Sequence, residues 1–130
     1  MKFKRVDHLV LTVNDIAQAV RFYHEVFDLP IIDLQDHDEP HCVRCGHQLI
    51  EFQTAAQPQK LTAPNKVTSS ATFCIVTGDR MEDVCNHLKS YYVPIIAGPV
   101  EQLGSEGKMT AIYIHDCDQN VIEIASYKDR

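Results

Sequence analysis

The chain has 130 residues and a mass of 14.8 kDa, which suits one compact domain and leaves no room for two independent cores of ordinary size. Hydrophobic residues at 45% and charged residues at 23% are globular values, and they exclude a disordered, collagen-like or coiled-coil chain. Eighteen acidic against twelve basic side chains leave a net charge of −6, which argues against nucleic acid or an anionic membrane as partner, since both select a basic stripe.

The start, Met1 to Arg5, is basic but has no apolar stretch behind it, because Asp7, His8 and Thr12 interrupt Val6 to Val13. This reads as no signal peptide, and no apolar run approaches the ~20 residues of a membrane helix. The five cysteines, an odd number, then read as reduced thiols of a cytoplasmic protein.

Residues 8–13 alternate as a strand with Leu9, Leu11 and Val13 on its more apolar face. Asn14 or Asp15 is suited to cap a helix whose apolar positions Ile16, Ala19, Val20, Tyr23, Val26 and Phe27 keep helical spacing. Pro30 begins an extended segment. Strands are then expected at Cys42 to Cys45 and Gln48 to Gln53, about a turn at Gly46-His47. Thr54 to Ser70, polar with two prolines, reads as a connector.

The same order then returns. Sliding the chain by 64 residues lays VDHLVLTVNDIAQAV on SATFCIVTGDRMEDV and Pro30-Ile31-Ile32 on Pro94-Ile95-Ile96. LIEF (Leu49 to Phe52) meets VIEI (Val121 to Ile124) at an offset of 72, so the second half carries longer loops. A strand at 72–76, a helix after Asp79, and strands at Thr110 to His115 and Val121 to Ser126 complete it. The fold is therefore α+β: paired βαβββ modules, about 4–54 and 69–127, joined by a linker at 55–68 within one domain spanning 1–130. The period is too long for a solenoid unit, so the modules are halves of one domain.

Parity then selects a surface. If Ile50, Phe52, Ile122 and Ile124 face the helices, Glu51 and Glu123 face the other side of their sheets. His8 shares that side, and the duplication places Thr72 and Cys74 there; Tyr113 and His115 join them. A curved sheet built from two related halves would gather His8, Glu51, Thr72 and Glu123 in one cup. Gathered carboxylates repel one another, and a bound cation keeps them ionised. Imidazole with carboxylates suits Fe, Mn, Ni, Co or Zn.

The segments VDHLVLTV, LIEF and IYIHDCDQNVIEIAS together resemble the vicinal oxygen chelate superfamily, which holds glyoxalase I, bleomycin-resistance proteins and extradiol dioxygenases. GPVEQLGSEG (Gly98 to Gly107) is similar to a small branch of glyoxalase-domain proteins. The resemblance implies a glyoxalase-like open cup, commonly dimeric, with a divalent metal (Ni, Zn, Mn or Fe) held by His8, Glu51, residue 72 and Glu123. It implies a lyase or isomerase acting on a small molecule with vicinal oxygens, in which Glu51 or Glu123 moves a proton. The third position departs from the pattern, because Thr72 stands where the enzymes carry histidine. The alternative is a metal-free binding or sequestering protein of the bleomycin-resistance type. The acidic balance, with five arginines and no evident pair among them, argues against glutathione as the substrate's carrier.

Other signals are discounted. Cys42 and Cys45 have zinc-knuckle spacing, but no second pair exists, and residues three apart on a strand point oppositely. Asp33, Asp36, His37, Asp38 and Glu39 read as a solvated loop. Phe22, Tyr23 and Phe27 read as packing for the first helix. Gly98 to Lys108 reads either as a loose connector or as a lid with glycine hinges.

Overall fold

The computed structural model describes residues 1–34, 39–59 and 61–128. Asp36, His37 and Asp38 lie outside them, while Asp33 and Glu39 are exposed. The chain divides into two compact units, Met1–Ser69 and Ser70–Arg130. None of the described helices is long and apolar enough to cross a membrane.

The first unit holds β1 (His8–Thr12), α1 (Ile16–Phe27), β2 (Ile31–Ile32), β3 (Cys42–Cys45) and β4 (Gln48–Gln53), with strand order β1-β4-β3-β2. Asp15 is the cap: its carboxylate accepts from the Gln18 backbone N–H at 2.9 Å, filling one of the donors a helix start leaves open. Asp28 ends the helix in the left-handed region at φ 56°. Tyr23, Ala19, Val20 and Val26 are buried, and the Tyr23 ring lies 5.1 Å from that of Phe52, so Tyr23 packs helix on sheet, while half-buried Phe22 and Phe27 pack edge-on against it and each other.

The second unit repeats the plan with β5 (Thr72–Val76), α2 (Met81–Ser90), β6 (Ala97–Gly104), β7 (Gly107–His115) and β8 (Val121–Ser126), in the order β5-β8-β7-β6. The register repeats too. β1 runs parallel to β4 with His8 opposite Leu49, and β5 runs parallel to β8 with Thr72 opposite Val121. These pairs are the offsets of 64 and 72 seen in the sequence. One difference lies at the helix start, where Arg80 rather than Asp79 is the cap and offers no side-chain bond.

The expected loop at Gly98 to Lys108 is a correction. Most of it is strand: β6, a tight turn at Ser105-Glu106, and the start of β7. Gly98 sits at φ 91°, where a Cβ would fall 2.5 Å from the Ala111 carbonyl oxygen, so the position admits only glycine without strain. At the hairpin tip the Glu106 N–H donates to the Tyr127 hydroxyl at 3.2 Å.

The DxDxN segment is a clasp. Asp116 Oδ1 accepts from the N–H groups of Asp118 (2.8 Å) and Asn120 (3.0 Å), and Asn120 Nδ2 donates to Asp116 Oδ2 at 3.0 Å. Asn120 Oδ1 then accepts from the Ala71 N–H at 3.0 Å, tying the β7–β8 turn to the strand that carries Thr72. All three polar residues are buried. The turn thereby sets the register that brings Cys74 opposite Glu123.

Candidate functional site

In the first unit the parallel pairing of β1 with β4 puts His8, Val10 and Thr12 on the face that also carries Leu49, Glu51 and Gln53. Leu11, Val13, Ile50 and Phe52 fill the other face and are buried. Glu51 itself is only 8% exposed, so it is not a solvated surface acid.

Its two oxygens have different surroundings. Oε2 lies 3.6 Å from His8 Nε2, too far for a hydrogen bond and close enough for a shared third atom. Oε1 accepts from Gln59 Nε2 at 3.0 Å and lies 3.7 Å from His41 Nε2, whose ring is buried. His8 is aimed by its neighbour, because Nδ1 bonds Asp7 Oδ2 at 2.9 Å, which turns Nε2 toward Glu51, as a lone pair in the neutral ring and as an N–H in the imidazolium. That bond to Asp7 raises the His8 pKa above 6.5, burial opposes the rise, and the charges of Glu51 and Asp7 add to it. Beside His41, a cleft of about 570 Å³ is lined by Asn14, Pro40, Thr54 and Gln57 among others.

In the second unit the same face holds Thr72 and Cys74 on β5, Val121 and Glu123 on β8, and Tyr113 and His115 on β7, with Tyr113 opposite Glu123 and His115 opposite Val121. Gln102 Nε2 donates to the Tyr113 hydroxyl. Glu123 is half-buried, and its Oε2 is buried with no hydrogen-bond partner, as is Nδ1 of half-buried His115. Thr72 is exposed. Cys74 is exposed at its surface, but partial burial first and then the charge of Glu123 push its thiol up to about 11, so without a cation it is a neutral thiol near neutral pH.

The expected residues divide by unit: His8 and Glu51 converge in the first, while Glu123 and Thr72 share a face of the second. Among the described residues no group of three His, Cys, Asp or Glu side chains is gathered to hold an ion. The CxxC pair is not a metal site either: Cys42 is buried with Sγ donating to the Ile32 carbonyl at 3.4 Å, and Cys45 is half-buried. Sequence reasoning missed Asp7, His41 and Gln59. Asp7 was readable as the neighbour of a candidate ligand, but Gln59 lies in the polar connector, where no period marks it.

A family model described as Glyoxalase/Bleomycin resistance protein/Dioxygenase superfamily matches residues 5–124. Virulence protein STM3117 of Salmonella typhimurium is 34% identical over 127 residues, which cover 98% of this chain and 87% of that protein. Its crystal structure aligns at a TM-score of 0.91 over 98% of this chain and 99% of that one. Two more distant structures show the fold alone. They are lactoylglutathione lyase from Agrobacterium tumefaciens (TM-score 0.73, 18% identity, 98% and 96% of the two chains) and TnmS3, an antibiotic-binding protein from Streptomyces sp. CB03234 (TM-score 0.74, 18% identity, 97% and 98%).

Proposed function

The chain belongs to the glyoxalase, bleomycin-resistance and dioxygenase superfamily, and from that premise we propose that it is a metal-dependent lyase or isomerase of the glyoxalase I type acting on a small molecule with two adjacent oxygens. The observation that carries the reading is His8 Nε2, 3.6 Å from Glu51 Oε2, with the far side of each group already held by Asp7 and Gln59. A histidine fixed through Nδ1 and a buried carboxylate fixed through one oxygen leave two open donors that converge.

The donor chemistry suits a divalent cation such as Ni, Zn, Mn or Fe. His8, Glu51 and Glu123 would hold it, and bound there it would act as a Lewis acid on two adjacent substrate oxygens. The roles of the carboxylates then separate. Glu51, tethered through Oε1, is the better ligand. Glu123, whose buried Oε2 has no hydrogen bond, would serve as a ligand and, through that free oxygen, accept the substrate proton.

The test is elemental analysis of protein never exposed to chelator, wild type against Glu123→Gln. About one ion per chain in the wild type, lost in the variant, is the expected result. A wild type that takes up none of Ni, Zn, Mn and Fe overturns it.

A second reading rests on Thr72. It occupies the place His8 holds in the first module, is exposed, and offers a hydroxyl that is a poor ligand for these metals. It favours a metal-free binder of a small molecule, and the same uptake experiment separates the two. The proposal extends to a cytoplasmic homodimer, which light scattering on the purified chain and fractionation of cells check.

A further inference from the structure

The segment that follows β4 does not run off as a connector. Thr54 Oγ1 accepts from the Gln57 N–H at 3.0 Å, a side-chain turn that reverses the chain. Gln59 then returns over the strand it left. Its backbone N–H donates to Gln53 Oε1 at 2.9 Å, and its side-chain Nε2 donates to Glu51 Oε1 at 3.0 Å. Gln53 in turn donates to Thr12 Oγ1 at 3.0 Å. A line of hydrogen bonds thus runs from Thr12 on β1 through two glutamine amides to the buried carboxylate of Glu51.

We infer that Gln59 is a positioning residue for Glu51: it claims Oε1 and so directs Oε2 at His8. This rests on Glu51 being the acid of the proposed site. The terminal torsion of a glutamate is broad and two-fold, so an untethered carboxylate exchanges its oxygens and offers either of them. A charge-assisted bond from an amide removes that freedom, since the amide donor is bound to one oxygen. Gln59 is itself oriented, because Gln53 grips its backbone and Gln53 is anchored to the neighbouring strand. The assignment explains how one carboxylate can lie beside two histidines, His8 and His41, and yet face each with a separate oxygen.

The test compares the full-length wild type with Gln59→Ala, Gln59→Asn and Gln57→Ala. The first readout needs no metal: the ring resonances of His8 by NMR at one fixed pH, with Glu51→Gln as the reference for a disturbed carboxylate. Gln59→Ala is expected to move the His8 signals in the direction that Glu51→Gln moves them. Gln59→Asn, which keeps the amide but not the reach, should do the same, and Gln57→Ala should leave them in place. The second readout is Ni²⁺ affinity by calorimetry, expected to fall about 10–100-fold in Gln59→Ala, the usual cost of losing a partner behind a ligand. His8 signals that superpose on the wild type in Gln59→Ala overturn the inference. If the wild type itself binds no Ni²⁺, Zn²⁺ or Mn²⁺, the metal reading falls, and the His8 comparison still decides the role of Gln59.

Discussion

His8 is neither isolated nor a plain surface histidine. Asp7 holds Nδ1 at 2.9 Å and Glu51 stands across from Nε2 at 3.6 Å, and these acids together favour the imidazolium. Its folded pKa is raised above the ordinary 6.5, so its contribution to stability is fully present below about 6.5 and fades as pH climbs through the folded value. Asp7→Asn should bring the His8 midpoint down toward 6.5 and flatten that part of the stability profile. An NMR titration of the His8 ring reads the first effect, and an unmoved midpoint would show that Asp7 is not the main cause. The cysteines answer to their own surroundings. Burial and Glu123 push the Cys74 thiol up to about 11, and burial, aided by Asp118 and Asp116, pushes Cys117 up to about 12. Both should resist iodoacetamide at pH 8 in the folded protein and react after unfolding, as mass spectrometry would show.

At the scale of the element, the βαβββ plan follows from side chains that satisfy local rules. Asp15 fills a helix-start donor, and apolar spacing lays α1 on β3 and β4. The Asp116–Asn120 turn shows what a motif can do without chemistry. Its hydrogen bonds converge on one buried carboxylate and reach Ala71, so Asp116→Ala should cost about 3 kcal/mol in urea unfolding, since two backbone donors lose a charged acceptor. A loss under about 0.5 kcal/mol, the scale of an ordinary surface change, would mean that the turn holds itself. β6 was the element hardest to read. It is an edge strand with a bulge between Ala97 and Val100, largely exposed, and rich in glycine. Alternation is faint where neither face is fully buried, and edges are often kept polar and broken. Gly98→Ala tests the assignment: positive φ and contact with the Ala111 carbonyl should lower the thermal midpoint by several degrees.

Across the molecule, the two modules carry the same strand orders and register, with donors that have diverged. Module one pairs a histidine with a buried glutamate; module two keeps the glutamate and replaces the histidine with Thr72. Thr72→His should therefore strengthen Zn²⁺ or Ni²⁺ binding at least about tenfold by calorimetry if the duplicated positions address one ion. Unchanged affinity would show that position 72 does not address the ion that His8 binds.

Much of this was legible from residues alone. The offsets of 64 and 72 return in the paired registers, and a period of two was enough to send Glu51 and Glu123 away from Ile50 and Ile122, because strand alternation is a local property of the backbone. Local rules stop at the strand ends. Which donor meets which oxygen of Glu51 depended on a chain reversal at Thr54 that returns Gln59 over its own strand, and on His41 arriving from the segment before β3. Those contacts carry no period, and they form only where packing of distant segments makes burial of a carboxylate and an amide mutually favourable.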